Sequence, residues 1–418
     1  MSVIIAKTGL SILLILLISI ILYFKSGIIK WFSNKKPTVY ISIGWVLFRL
    51  IPFVVLYILA GYEPTSDVNG FWDEASKASV GQMVYRDFWS PYSPFYAYYL
   101  GLWLKLWYMP KMIVLTMAIM DGLAVLISYF FYRPIFSNGT FIFKALLYYL
   151  LPGSLLLCIV AAQEDVWMWL FLTLAFLTRK RYGVVAYSLI LVIGLLTTKI
   201  IFVLILIPIF LLEKDKIRFL LPLFLVGTTT LVILYLLVGT EFLQPLGEAN
   251  TLRAPNVFSI VNPWFFNSIG VGLKIWNWLG LGITVGVGCL TAWKFRKTSF
   301  EFMLSRTWVM LYGTMMIIQQ SAYSNYIFLF LIPLTFLILD WDNKKQVIFF
   351  LIYNLLCVVH PSFWWRLELP KYVSPGSIFT STDYILDYSM QVGIVLLTIY
   401  FLKVTYSQKR DIPKAYTH

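Results

Sequence analysis

Apolar runs follow one another from residue 8 to residue 406, separated only by short polar breaks. They fall at 8–24, 39–60, 112–132, 145–161, 165–178, 183–198, 199–212, 219–239, 269–293, 307–323, 326–339, 346–359 and 389–406. A perpendicular membrane-spanning helix needs about 20 apolar residues, so the shorter segments must extend into their polar flanks or fail to cross alone. The pattern predicts an all-α polytopic membrane protein with about 11–13 transmembrane helices. The first segment is followed by lysines and no small-residue cleavage signature, which predicts a retained helix and not a signal peptide. With no internal repeat, low-complexity tract or soluble appendage in view, residues 1–418 read as a single integral membrane domain.

Composition agrees. Of the 418 residues 60% are hydrophobic and 12% are charged, about half the charge of an ordinary soluble domain. The net charge of +14 would suggest nucleic acid in a soluble protein. In a membrane protein it reports basic cytoplasmic loops and anionic lipid, so membrane lipids are expected partners and nucleic acid is not. The three cysteines sit in apolar runs without metal-ligand spacing, which supports neither a disulfide framework nor a zinc site.

The positive-inside rule orients the chain. Most Lys and Arg lie in the breaks at 25–36, 133–144, 179–181, 213–218, 294–306 and 344–345 and in the tail at 403–414, which are assigned to the cytoplasm. The intervening breaks are richer in acids, and the larger of them, 61–111, 240–268 and 360–388, become exterior or lumenal loops. This alternation requires residues 93–108 to lie at the interface without crossing. Chemistry on water-soluble groups must then be built from these loops and the adjoining helix ends.

The loop 61–111 is the least lipid-like stretch of the chain. Asp67 closely follows a span ending near Ala60, so its carboxylate is expected at the membrane surface, a suitable place for a general base. Residues 71–80 carry helical character, with Phe71, Ala75 and Ala78 on one face, Asp73 and Lys77 spaced i,i+4, and Gly81 as the stop. Asp73 and Glu74 equally suit the first turns of a surface helix.

This loop resembles the first lumenal loop of the GT-C glycosyltransferases. The likeness rests on Asp67, then Asp73-Glu74-Ala75, Gly81, Tyr85 and the stretch Tyr92-Ser93-Pro94-Phe95-Tyr96. The nearest likeness is to the branch of the GPI-anchor mannosyltransferase I and its prokaryotic relatives, which use polyprenyl-phosphate mannose. That branch carries an Asp-x-Asp pair, whose second position falls here on Asp67 and whose first falls on Thr65. The turn Ala161-Ala162-Gln163-Glu164-Asp165-Val166-Trp167 resembles the Gly/Gln-x-Asp turn of the same enzymes, and Gly194-Leu195-Leu196-Thr197-Thr198-Lys199 their Gly-Leu-x-x-Lys stretch.

The resemblance implies a GT-C-like fold and transfer of a hexose, mannose being favoured, from a polyprenyl-phosphate donor to an exterior glycan or glycolipid acceptor. The transfer would invert stereochemistry, with Asp67 as base. Glu164, Asp165 and Asp73 would orient the acceptor or a divalent cation where one is used. Asp165 alternatively caps the helix that follows it. Lys199, with Arg253 and Arg366 behind it, would hold the donor phosphate, and Trp364 and Trp365 would stack on sugar. The missing Asp-x-Asp pair points to a bacterial or archaeal plasma membrane over the endoplasmic reticulum. Rival readings are a lipid or oligosaccharide transporter or flippase, and a membrane polysaccharide polymerase or ligase. His360 is expected to be structural, and Asp121, inside a span, needs a polar partner that the sequence does not name.

Overall fold

The computed structural model describes residues 2–265, 268 and 270–407. Lys409, Arg410 and Lys414 of the basic tail, and parts of the segments 240–268 and 269–293, lie outside the described residues. Among those described the fold is helical, with no strand and a lone bridge between Val84 and Phe88. Among the described residues eight helices are long and apolar enough to cross a bilayer: Val3–Tyr23, Pro37–Leu59, Pro110–Tyr132, Val166–Thr197, Lys216–Asn250, Lys274–Phe295, Lys344–Arg366 and Thr382–Ser407. The protein is thus an integral, multi-pass membrane protein. A ninth forms if Asn138–Leu150 and Pro152–Ile159, which meet at 57°, count as one. The bend has a local cause: Pro152 disfavours helical backbone at Leu151, which adopts ψ 133°.

Val166–Thr197 is not one straight rod. A continuous helix would place residues 165 and 199 about 50 Å apart, yet the Lys199 ammonium lies 2.6 Å from the Asp165 carboxylate. The reversal occurs at Gly183, whose φ of +85° and ψ of −172° are open only to glycine. The two arms fold back until Gly194 abuts Phe171. Segments 165–178 and 183–198 are therefore separate arms of a helical hairpin, as their polar break predicts.

The basic turns meet one another. Lys25 pairs with Asp342 (2.6 Å), Arg179 with Glu213 (2.9 Å) and Lys180 with Glu301 (2.9 Å). The core between the two ends carries its own ion pair. Arg49 donates to Asp121 (2.8 Å), both fully buried, and Tyr148 donates to the other Asp121 oxygen (2.5 Å). Arg49 also repairs a defect nearby: Pro52 has no N–H for the carbonyl of Phe48, and the guanidinium takes that acceptor at 2.9 Å. Asp121 thereby gains its missing partners.

The loop 61–111 contains two short helices. Asp67–Ser79 forms with its Asp73–Lys77 pair (2.7 Å) and stops before Gly81, at φ +86°. Tyr96–Leu104 is nine residues long, about 14 Å and so about half the hydrocarbon thickness. It lies so close to the first helix that a Cβ on Gly101 would sit 3.1 Å from the Ala75 carbonyl.

Candidate functional site

The site is built where the chain leaves and re-enters four helices. Asp67 opens the helix Asp67–Ser79, and the residue before it, Ser66, has φ +65°. The turn at 160–165 carries a second non-glycine left-handed residue, Ala162 at φ +48°, immediately before Gln163. Strain of this kind persists only where surrounding contacts enforce it, and the residues that follow make those contacts. The Gln163 amide donates to Asp67 (2.6 Å), while Asn325 donates to the Gln163 carbonyl. Asp67, Gln163 and Asn325 thus form a chain across three sequence-distant segments, with Asp67 at its exposed end. The Lys7 ammonium, bonded to Ser362 (2.8 Å), is near enough for its charge to act on Asp67.

Beside this chain Lys199 bridges Glu164 (2.8 Å) and Asp165 (2.6 Å), whose side chains are at most 2% exposed. The Asp165 carboxylate does not cap the helix that follows it. It turns to the lysine because an unpaired ammonium or carboxylate at this depth is costly. Burial raises the affinity of both Glu164 and Asp165 for protons, and Lys199 opposes that rise. Burial alone would weaken proton binding by Lys199, but Asp165 and Glu164 more than offset it, so the lysine is held charged. One cation between two carboxylates leaves room for one shared proton on the acidic pair.

Aromatic rings wall the cluster. Ser93 and Phe95 donate backbone N–H groups to the carbonyls of Thr198 (3.1 Å) and Leu196 (2.9 Å), which the ending helix arm leaves unsatisfied. This docking brings Tyr92 and Tyr96, stacked at 4.1 Å, beside the ion cluster. The Lys199 ammonium sits 5.8 Å from the Tyr92 ring and 5.2 Å from that of Tyr326. Among the described residues several buried polar atoms here have no hydrogen-bond partner: Tyr96 Oη, Trp167 Nε1, Glu164 Oε2 and Asp165 Oδ2. Such groups call for a partner from outside the chain.

The structure therefore brings Asp67, Glu164, Asp165 and Lys199 together, leaves Arg253 at the edge of the same aromatic wall, and separates Asp73, Arg366 and Trp365 from it. Asp73 is exposed and paired with Lys77. Its neighbour Glu74 is not on the surface but buried, accepting a bond from Ser90 (2.6 Å), and burial lifts its pKa to about 7. Arg253, paired with Glu248 (3.1 Å), lies over Tyr323 at 5.7 Å. Arg366 pairs with Asp383 (2.9 Å). Trp364 is buried against Tyr323, whereas Trp365 is exposed. His360 is buried between Ser324 (3.2 Å) and Asp387 (3.5 Å). Gln163 and Asn325 escaped the sequence reading as site residues. Their only signal is a polar side chain between apolar runs.

A divalent cation does not fit what is present. Glu164 and Asp165 both face Lys199, and among the described residues no group of three His, Cys, Asp or Glu side chains converges as a metal site. Comparisons of this chain with models of protein families, with curated proteins and with solved structures gave no match.

Proposed function

We propose that this protein is a membrane glycosyltransferase of the GT-C type, moving a hexose from a polyprenyl-phosphate carrier to a glycan or glycolipid on the non-cytoplasmic side. On this reading the chain crosses the membrane thirteen times. The two hairpin arms, the bent pair, Ile200–Leu212, Phe300–Ile318 and Ser324–Ile338 then each belong to a crossing of their own. Residues 96–104 stay at the interface.

The observation that carries the proposal is the exposed Asp67 carboxylate, aimed by Gln163 and Asn325 and standing next to a wall of stacked tyrosines. With one oxygen engaged by the Gln163 amide, the other can accept the proton of an acceptor hydroxyl as that oxygen attacks the anomeric carbon. The sugar passes through an oxocarbenium-like state, its configuration inverts, and the lipid phosphate leaves. General-base help of this kind contributes about 100 to 10,000-fold in rate.

Lys199, enclosed by two carboxylates, is better suited to holding Glu164 and Asp165 in place than to binding the donor. Arg253 suits the leaving phosphate better. Its partner Glu248 is also partly exposed, and a solvent-exposed pair of this kind, worth about 0–1 kcal/mol, can open to admit a phosphate.

The test is sugar transfer from radiolabelled polyprenyl-phosphate donors by purified protein. Asp67→Asn should lose at least 100-fold in turnover while keeping donor affinity. Turnover close to the unmodified protein would remove Asp67 from the mechanism. Loss of donor affinity alone would assign it to binding instead.

A further inference from the structure

The end of the molecule that gathers the basic turns holds a cavity of about 580 Å³ between the ends of Val166–Thr197's first arm, Ile200–Leu212, Lys274–Phe295 and Phe300–Ile318. One part of its lining is apolar, from Ile209, Leu211, Leu212 and Met303. The other is charged, from Arg179, Glu213, Arg296 and Lys297. Arg179 is neutralised by Glu213 (2.9 Å), and the neighbouring Lys180 by Glu301 (2.9 Å). Arg296 and Lys297 make no ion pair among the described residues, so the lining carries two uncompensated positive charges. Arg296 is already oriented: its guanidinium lies 3.7 Å from the Trp293 ring centre, and one nitrogen donates to the Trp293 carbonyl (2.8 Å). The remaining guanidinium N–H groups are left for an anion.

Glu213 narrows the ligand further. Its side chain is 1% exposed. One oxygen accepts from Arg179 and from the backbone N–H of Lys214 (2.9 Å). The other, Oε2, is buried without a partner among the described residues and requires a donor such as a hydroxyl.

We propose that this cavity binds one glycerophospholipid whose phosphodiester is anionic and whose headgroup carries a hydroxyl, as in phosphatidylglycerol. The phosphate rests on Arg296 and Lys297, a headgroup hydroxyl donates to Glu213, and an acyl chain lies along Ile209, Leu212 and Met303. A soluble phosphate ester would gain the charges but leave the apolar lining unused. Basic pockets between transmembrane helices are a recurrent place for acidic lipid heads. The site is independent of the Asp67 cluster and of the activity proposed for it.

The probe is full-length protein in nanodiscs of phosphatidylcholine doped with phosphatidylglycerol or with phosphatidylmethanol, which has the same charge and no headgroup hydroxyl. Retained lipid is then counted by native mass spectrometry after gentle release. The unmodified protein should retain phosphatidylglycerol at least ten-fold over phosphatidylcholine and several-fold over phosphatidylmethanol. Arg296→Gln with Lys297→Gln, both exposed positions that leave the ion pairs intact, should abolish the preference. Equal retention by that variant, or equal retention of the two acidic lipids, would overturn the proposal. Displacement of the lipid by equimolar glycerol 3-phosphate would overturn it in favour of a soluble ester.

Discussion

Replacing Lys199 with Met keeps most of the side-chain volume and deletes the one positive charge between Glu164 and Asp165. At an effective dielectric of about 20, a unit charge pair 2.6 Å apart, the Lys199–Asp165 distance, attracts by about 6 kcal/mol before desolvation. Desolvation of all three groups offsets part of that. Removing one partner of a buried pair typically costs about 3–5 kcal/mol, and the same is expected here because among the described residues neither carboxylate has another cation in contact. The assay is equilibrium unfolding in mixed micelles at two pH values. Without the lysine, burial pushes both carboxyls further above their usual range. The folded state then holds protons that the unfolded chain has released, and stability is lost as pH rises. The Lys199→Met protein should therefore be destabilised by about 3–5 kcal/mol at pH 7.5 and recover most of that near pH 3, where both acids are largely protonated in either state. Adding Glu164→Gln and Asp165→Asn should rescue it at neutral pH. An equal loss at both pH values would mean that the lysine acts through packing, and no loss at either would refute the charge argument outright.

Two further outcomes follow from buried polar groups. Glu74, with a pKa lifted by burial to about 7 against an ordinary 4.5, binds its proton more tightly folded than unfolded, so stability falls from about pH 4.5 and levels off near pH 7. The difference amounts to about 3 kcal/mol at most. Glu74→Gln, which can still accept from Ser90, should flatten that slope, and an unchanged pH profile in micelle unfolding would place the titrating group elsewhere. Arg49→Leu strands the Asp121 carboxylate in the apolar core and should cost about 3–5 kcal/mol, whereas Arg49→Leu with Asp121→Leu should recover much of the loss. A double variant no better than the single one would show that the pair is not the coupled unit inferred from its geometry.

What could be read along the chain was local. Apolar runs predict helices because a segment in hydrocarbon must satisfy its backbone internally, whatever its neighbours do. The helix Asp67–Ser79 was legible over 71–79, though not in its first turn at 67–70, for a similar reason: its i,i+4 pair, its buried face and its terminating glycine all lie within one short window. The acidic turn at 161–167 and the isolated Lys199 stood out because charges between apolar runs are rare.

Which of these groups touch was decided by packing. Lys199 reaches Glu164 and Asp165 because the chain doubles back at Gly183; the basic break at 179–181 predicts that reversal, but not which side chains of the two arms meet. Asn325 orients Gln163 across 162 positions of sequence, and Arg49 meets Asp121 across 72. Glu74 and Asp73 are adjacent and chemically alike, yet one is buried against Ser90 and the other lies in solvent. A helix turns successive side chains by about 100°, so its neighbours, and not its own composition, decide which side becomes interior. Polar groups in a membrane protein are costly until paired, and their partners exist only once distant helices have closed on one another.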